Sequence, residues 1–234
     1  MTKPPGHASG ADAVRDARRY ALIEDIENEF ALTADMTGLA AMDPRVRTSM
    51  ETVPRDAFVP HEEREYAWLN QPLPIGYRQT ISQPFIVALM TSLLEPQPSD
   101  RILEVGTGSG YQAAVLSGLV DHIWSIELVP ELAKSATDRL KAMGYDNVSV
   151  RAGDGAAGWP EHAPFDGIVV TAGAPVVPPA LIEQLAEGGR MVIPVDAALG
   201  QALMLIEKLA GGELRSRKVL PVRFVPLRAA PDGP

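Results

Sequence analysis

Apolar positions in the first sixty residues recur at helical spacing. Val14, Ala17, Ala21, Leu22 and Ile26 predict a helix over about Asp12 to Phe30. DPRVRTSMETV predicts a second, with Asp43 as N-cap and Pro44 in the first turn, where a missing N–H costs nothing. The prolines of VPRDAFVP (53–60) end that pattern. From residue 101 the rhythm changes. RILEVG reads as a buried strand and HIWSIEL, NVSVRAG and FDGIVVTAG as further short strands, while YQAAVLSGL, ELAKSATDRLKAMG (closed by Gly144) and PPALIEQLAEGG (with a glycine stop) read as helices. RMVIPV, ALMLIEKL and VLPVRFVPL add strands with no helix between them, so at least one of these runs antiparallel. Strands alternating with amphipathic helices predict an α/β fold with a mainly parallel central sheet flanked by helices. In such sheets the ligand lies beyond the carboxyl ends of the strands. The reading divides the chain into a helical lead-in at 12–60 and a main domain at 61–227. Met1–Ala11 and 228–234 have little to bury and are expected to be disordered.

Composition narrows the partners. At 46% hydrophobic and 22% charged over 234 residues, the chain is an ordinary globular protein of one domain, or one domain with an appendage. A net charge of −9 argues against nucleic acid or an anionic membrane surface. It does not exclude a cationic small molecule. There is no cysteine, and His7, His61, His122 and His162 lack ligand spacing, so no metal site is expected. MTKPPGHASG has no apolar signal core, and FIVALM, the longest apolar run, is too short to span a bilayer. A cytoplasmic protein is the default expectation.

Candidate chemistry begins where the first of these strands ends, in Glu104-Val105-Gly106-Thr107-Gly108-Ser109-Gly110. Glycines there permit positive φ and close approach of a ligand to the backbone. A glycine-rich turn alone is weak evidence, since dinucleotide enzymes use one too. Here the spacing is G-x-G-x-G, whereas the dinucleotide fingerprint places its third glycine one residue later. Glu104 would also stand close to a pyrophosphate, an unfavourable pairing, whereas a carboxylate beside a cation is favourable. No GK[ST] follows, which removes a nucleoside triphosphate. A positively charged nucleoside without phosphate fits, namely S-adenosyl-L-methionine. Glu127, at the end of the next strand, can accept both ribose hydroxyls, and Asp154 of Gly153-Asp154-Gly155 can face the adenine amino group.

The chain resembles the protein-L-isoaspartate O-methyltransferases. The likeness runs through VPRDAFVP (53–60), LPIGYRQTISQPF (73–85), RILEVGTGSGYQAAVL (101–116), GDGAAGW (153–159), APFDGIVVTAG (163–173), QLAEGGRMVIPV (184–195) and VRFVPL (222–227). QTISQP together with LEVGTGSGYQ is specific to that family. The resemblance implies a Rossmann-like S-adenosylmethionine-dependent fold with rearranged last strands. It implies methyl transfer to L-isoaspartyl, and by extension D-aspartyl, residues of damaged proteins and peptides, with S-adenosyl-L-homocysteine as the other product. Carried over residue by residue, Ser82 takes the active-site role and Gln79, Thr80 and Ile81 line the site beside it. Gly106, Gly108, Ser109 and Glu104 would hold the methionine part of the cofactor, Glu127 the ribose, and Asp154 with Gly155 the adenine. The chain is expected to act as a monomer. Gly173 stands where the family usually has alanine, an exchange expected to be neutral.

The reaction implied needs little acid–base machinery. A carboxylate, with a pKa near ~4, is already ionised at neutral pH. The task is to hold its oxygen in line with the S–CH3 bond, which suits hydroxyls and amides. LPIGYRQTISQPF supplies them beside a helix N-terminus, and Ser82 serves either as a donor to the substrate or as a cap on that helix, or as both. Other readings are a methyltransferase tailoring normal aspartate in one dedicated peptide, a cofactor-binding protein without catalysis and, least well supported, an NAD-dependent oxidoreductase.

Overall fold

The computed structural model describes residues 10–228, with side chains from Ala13 onward. The expectation of disorder at the two ends therefore falls outside the described residues, apart from Gly10 and Ala11, which open the first helix, and Arg228. Helix α1 spans Gly10–Thr37 and α2 spans Pro44–Thr52. α1 runs beyond the predicted end at Phe30. Its last turns carry Leu32 and Met36 on the solvent side, so no apolar period marks them, and Thr33 and Thr37 instead bond back to the carbonyls of Glu29 and Thr33. Its first turns are exposed as well. Burial begins with Leu22 and Ile23 and continues through Ile26 and Phe30. α2 starts as predicted, with Asp43 Oδ1 accepting from the Arg45 amide at 2.7 Å and Pro44 in the first turn.

The segment before the sheet forms a hairpin of β1 (Leu73–Gly76) and β2 (Gln79–Ile81), followed by α3 (Pro84–Leu94), every residue of which is buried. Tyr77 and Arg78 make the hairpin turn with φ of 52° and 59°, the left-handed values that a two-residue β-turn of matching twist requires.

The main sheet has seven strands in the order β5-β4-β3-β6-β7-β8-β9. They are β3 (Arg101–Val105), β4 (His122–Glu127), β5 (Val148–Ala152), β6 (Phe165–Val170), β7 (Leu185–Ala197), β8 (Gly200–Lys208) and β9 (Leu214–Val222). β3 to β7 pair in parallel, and β8 is antiparallel to both of its neighbours. Helices α4 (Tyr111–Ser117), α5 (Pro130–Ala142) and α6 (Pro179–Gln184) connect the parallel strands. Successive strand residues face opposite sides, so Ile102 joins the core under α1–α4 while Leu103 joins the one under α6. The chain starts in the middle at β3, moves outward through β4 and β5, and returns to β6 on the other side of β3. That reversal opens a crevice at the carboxyl ends of β3, β4 and β6.

Two further element boundaries differ from expectation. PPALIEQLAEGG does not stay helical to its glycines, because α6 stops at Gln184 and Leu185 already pairs with Phe165. The Gln184 side chain is committed to the Trp159 amide and the Ala157 carbonyl, and the chain bulges through Gly188 before Arg190 resumes the ladder. VLPVRFVPL leaves the sheet at Val222, because Phe224 N donates to Gln201 Oε1 and Val225 O accepts from Gly173 N. The strand begins earlier instead, at the exposed LRSRK, where an outermost strand needs no apolar pattern. Among the described residues no helix is long and apolar enough to cross a membrane.

Candidate active site

The turn after β3 is shaped by its glycines. Gly106 has φ of 98°, and a Cβ there would run into the Thr171 hydroxyl, which donates to the Gly106 carbonyl at 2.6 Å. Gly108 has φ of 52°, and its amide donates to Glu127 Oε2 at 2.8 Å. The other Glu127 oxygen accepts from Val129 N at 2.9 Å, so one carboxylate ties the turns after β3 and β4 together. Each of its oxygens keeps acceptor capacity for a ligand hydroxyl.

A cavity opens above these turns. Gly106, Gly108, Ser109, Glu127 and Gly155 line its floor, and Gln79, Thr80, Ile81 and Ser82 form the opposite wall. A second cavity lies behind that wall, along Glu29, Gln83 and the segment Leu220–Val225. Thr80, Ser82, Thr171 and Val225 border both. The segment carrying Ser82 thus borders both a chamber lined by the glycine turn and a chamber lined by Glu29, Gln83 and Leu220–Val225.

Two sequence-predicted residues do not line the first cavity. Asp154 stands beneath it, with Oδ1 accepting from the Ala156 amide at 2.8 Å and so capping a short 3-10 turn that holds Gly155 in place. Glu104 is wholly buried under the glycine turn and reaches it only through the Ser125 hydroxyl, which donates to Oε2 and lies 2.5 Å from Thr107 Oγ1. Burial pushes the Glu104 carboxyl up to about 8; Ser125 and the Ala113 amide pull it down, and Glu127 adds to the rise. Between the ordinary 4.5 and about 8 the folded protein holds this proton more tightly than the unfolded chain, so stability falls as pH rises through that window. Glu104→Gln removes this pH dependence. Melting from pH 5 to pH 8 should show wild type losing ground to the variant, by on the order of 4 kcal/mol at the upper end. Parallel pH profiles would contradict the assignment.

Ser82 does not cap α3. The cap position is Gln83, which makes no side-chain cap bond, and the Phe85 amide is held by Asn70 Oδ1 at 2.9 Å. Asn70 Nδ2 donates to Glu29 Oε2 at 2.7 Å, and Gln83 Nε2 donates to the same oxygen at 3.0 Å. Desolvation raises the Glu29 carboxyl above the ordinary range, with Asn70 and Gln83 opposing it. Capping thus falls to a residue twelve positions before Ser82, which leaves the Ser82 hydroxyl facing the cavities.

Sequence reasoning missed Asn70, Glu29, Thr171 and Arg55. Thr171 ends the strand run FDGIVVT, where a hydroxyl next to two glycine turns was a usable signal; the other three act across the fold and leave no local pattern. Gly173 also has a role here: a Cβ would meet the Gln201 side-chain amide, and Gln201 Oε1 holds Phe224 N at 2.7 Å. Gly173→Ala should therefore loosen the closing segment and lower stability by about 0.5–3 kcal/mol, read as a fall in melting temperature. An unchanged melting temperature would restore the expectation of neutrality.

The histidines His61, His122 and His162 line neither cavity, and Arg228, at the rim of the first, is the lone Lys or Arg among the described residues of its lining. A positively charged, phosphate-free nucleoside fits such a lining.

Known proteins agree. A family model described as protein-L-isoaspartate(D-aspartate) O-methyltransferase matches residues 30–231. Protein-L-isoaspartate O-methyltransferase 2 of Syntrophobacter fumaroxidans is 54% identical over 95% of this chain and 90% of its own length. Protein-L-isoaspartate O-methyltransferase 1 of Cupriavidus necator is 51% identical over 95% of this chain and 86% of its own. A solved protein-L-isoaspartate O-methyltransferase superposes with a TM-score of 0.77 at 27% identity over 89% of this chain, which spans 65% of that one. A Plasmodium falciparum protein described as a beta-aspartate methyltransferase, solved with S-adenosyl-L-homocysteine, shares the fold at a TM-score of 0.73 and 23% identity over 90% of this chain and 98% of its own. The chain belongs to the protein-L-isoaspartate(D-aspartate) O-methyltransferase family.

Proposed function

We propose that the chain transfers a methyl group from S-adenosyl-L-methionine to the free carboxylate of L-isoaspartyl, and by extension D-aspartyl, residues in damaged proteins and peptides. The observation that carries this reading is the shared wall: Ser82 and Thr80 face both cavities, so a donor on one side and an acceptor on the other meet across them. In this reading the glycine turn holds the methionine part, Glu127 the ribose and Gly155 the adenine ring, with Asp154 and Glu104 supporting from beneath. Bound there, S-adenosyl-L-methionine would supply an electrophilic methyl carbon for the carboxylate oxygen, with the electron pair of the broken C–S bond left on sulfur.

The residues supply position and little else. The incoming carboxylate needs no base, and none of the described histidines lines the chambers. The Ser82 and Thr80 hydroxyls donate to the carboxylate and hold it in line. Neutral donors suit a step that consumes one positive and one negative charge, because a full charge gripping either partner would stabilise the ground state more than the transition state and slow the step. The ester then closes on the neighbouring backbone nitrogen without further help from the enzyme. Methanol leaves, and the resulting succinimide hydrolyses in part to normal aspartate.

Labelled methyl transfer to an isoaspartyl peptide, with its normal-aspartyl twin as control, tests the reading. Label should enter the isoaspartyl peptide alone. Equal labelling of both, or of the normal twin only, would replace repair with another methylation.

A further inference from the structure

Arg55 is wholly buried, within the short 3-10 turn Arg55–Phe58 of VPRDAFVP. Its guanidinium has no carboxylate partner among the described residues. Instead it donates to three carbonyls: Nε to Ala67 O at 2.9 Å, Nη2 to Gln71 O at 2.9 Å and Nη1 to Ser82 O at 3.0 Å. Its central carbon lies 5.3 Å from the ring centre of Tyr111, the first residue of α4, directly after the glycine turn. Tyr111 lines the first cavity and is itself buried. A lone buried cation is costly to keep, and an apolar side chain would fill the same space more cheaply. Burial lowers its pKa to about 10, so the charge persists at neutral pH. The planar fork has a geometry that lysine cannot copy, since three separated carbonyls require donors fixed in one plane.

We infer that Arg55 is a positioning residue, which fixes the Ser82 backbone against the Tyr111 end of the glycine turn and so sets the distance between the acceptor wall and the donor floor. It touches neither substrate nor cofactor. The three carbonyls belong to the loop ahead of β1 and to the residue after β2, so the guanidinium holds the hairpin at its base while Tyr111 anchors the cation from the other side. The inference rests on the role proposed for Ser82.

A kinetic cycle over Arg55→Lys and Ser82→Ala separates the possibilities. With the native serine, Arg55→Lys should cut kcat about tenfold or more while S-adenosyl-L-homocysteine affinity stays within about twofold. In the Ser82→Ala background the same lysine should change kcat less than about twofold, because the group it positions is gone. An equal fold-loss in both backgrounds would reduce Arg55 to a structural residue and overturn the inference. Full activity of Ser82→Ala alone would instead sink the role of Ser82, before Arg55 is varied. The wild-type protein gives an independent reading should the lysine variant not fold. Its Arg55 Nε–H resonance should shift when isoaspartyl peptide joins the S-adenosyl-L-homocysteine complex, and a resonance indifferent to peptide would overturn the inference.

Discussion

Ser82→Ala is expected to lower kcat for methyl transfer about ten- to a hundredfold while leaving S-adenosyl-L-homocysteine affinity within about twofold. The size follows from a hydrogen bond to a charged group, worth roughly 1.5–3 kcal/mol. The sparing of the cofactor follows from geometry: the glycine turn and Glu127, which floor the first cavity, belong to other elements than the segment that bears Ser82. Folding should be little affected, because α3 is capped by Asn70 and not by Ser82. Single-turnover rates at saturating cofactor, read beside a calorimetric titration, check both halves. A large loss of stability would show that the hydroxyl supports the fold instead.

A second large effect is expected at Gly106. Gly106→Ala places a methyl group against the Thr171 hydroxyl and forces an L side chain to φ of 98°. Strain at such a position costs on the order of 1–3 kcal/mol before the collision is counted. S-adenosyl-L-homocysteine affinity should fall by about a hundredfold or more. Gly108→Ala makes the contrast. Its φ of 52° lies in the region that side chains sometimes adopt, and its Cβ would meet only the tip of Ile75 at 3.4 Å. That variant should lose about tenfold or less. Equal losses at the two glycines would show that the turn is not the rigid cradle described.

The parallel part of the sheet was legible because its central strands are buried on both faces and its helices have a stripe. RILEV, HIWSIE and FDGIVV stand out as short apolar runs, and Gly106 and Gly108 punctuate the first of them where the crevice opens. The outermost strand was misplaced for the opposite reason. LRSRK faces solvent and carries no alternation, so nothing local marks it as extended. The same holds for the site. Glycine turns and the acids after each strand are local signals, and the fold brings Glu127 and Gly155 to the cavity from them. Depth was not legible: charge alone suggested that Glu104 would face a cation, whereas the alternation along β3 turns it inward to Ser125. Arg55, Asn70 and Glu29 meet the Ser82–Phe85 segment from 15 to 54 positions away, and no spacing rule reaches that far.

A crystal structure of the protein with S-adenosyl-L-homocysteine and an isoaspartyl peptide tests the central claim most directly. The sulfur should lie over the Gly106–Gly108 turn, and the isoaspartyl carboxylate should enter from the Glu29 side to within about 3 Å of the Ser82 hydroxyl. A nucleoside seated elsewhere, or a carboxylate that reaches the sulfur without meeting the wall that bears Ser82, would contradict it.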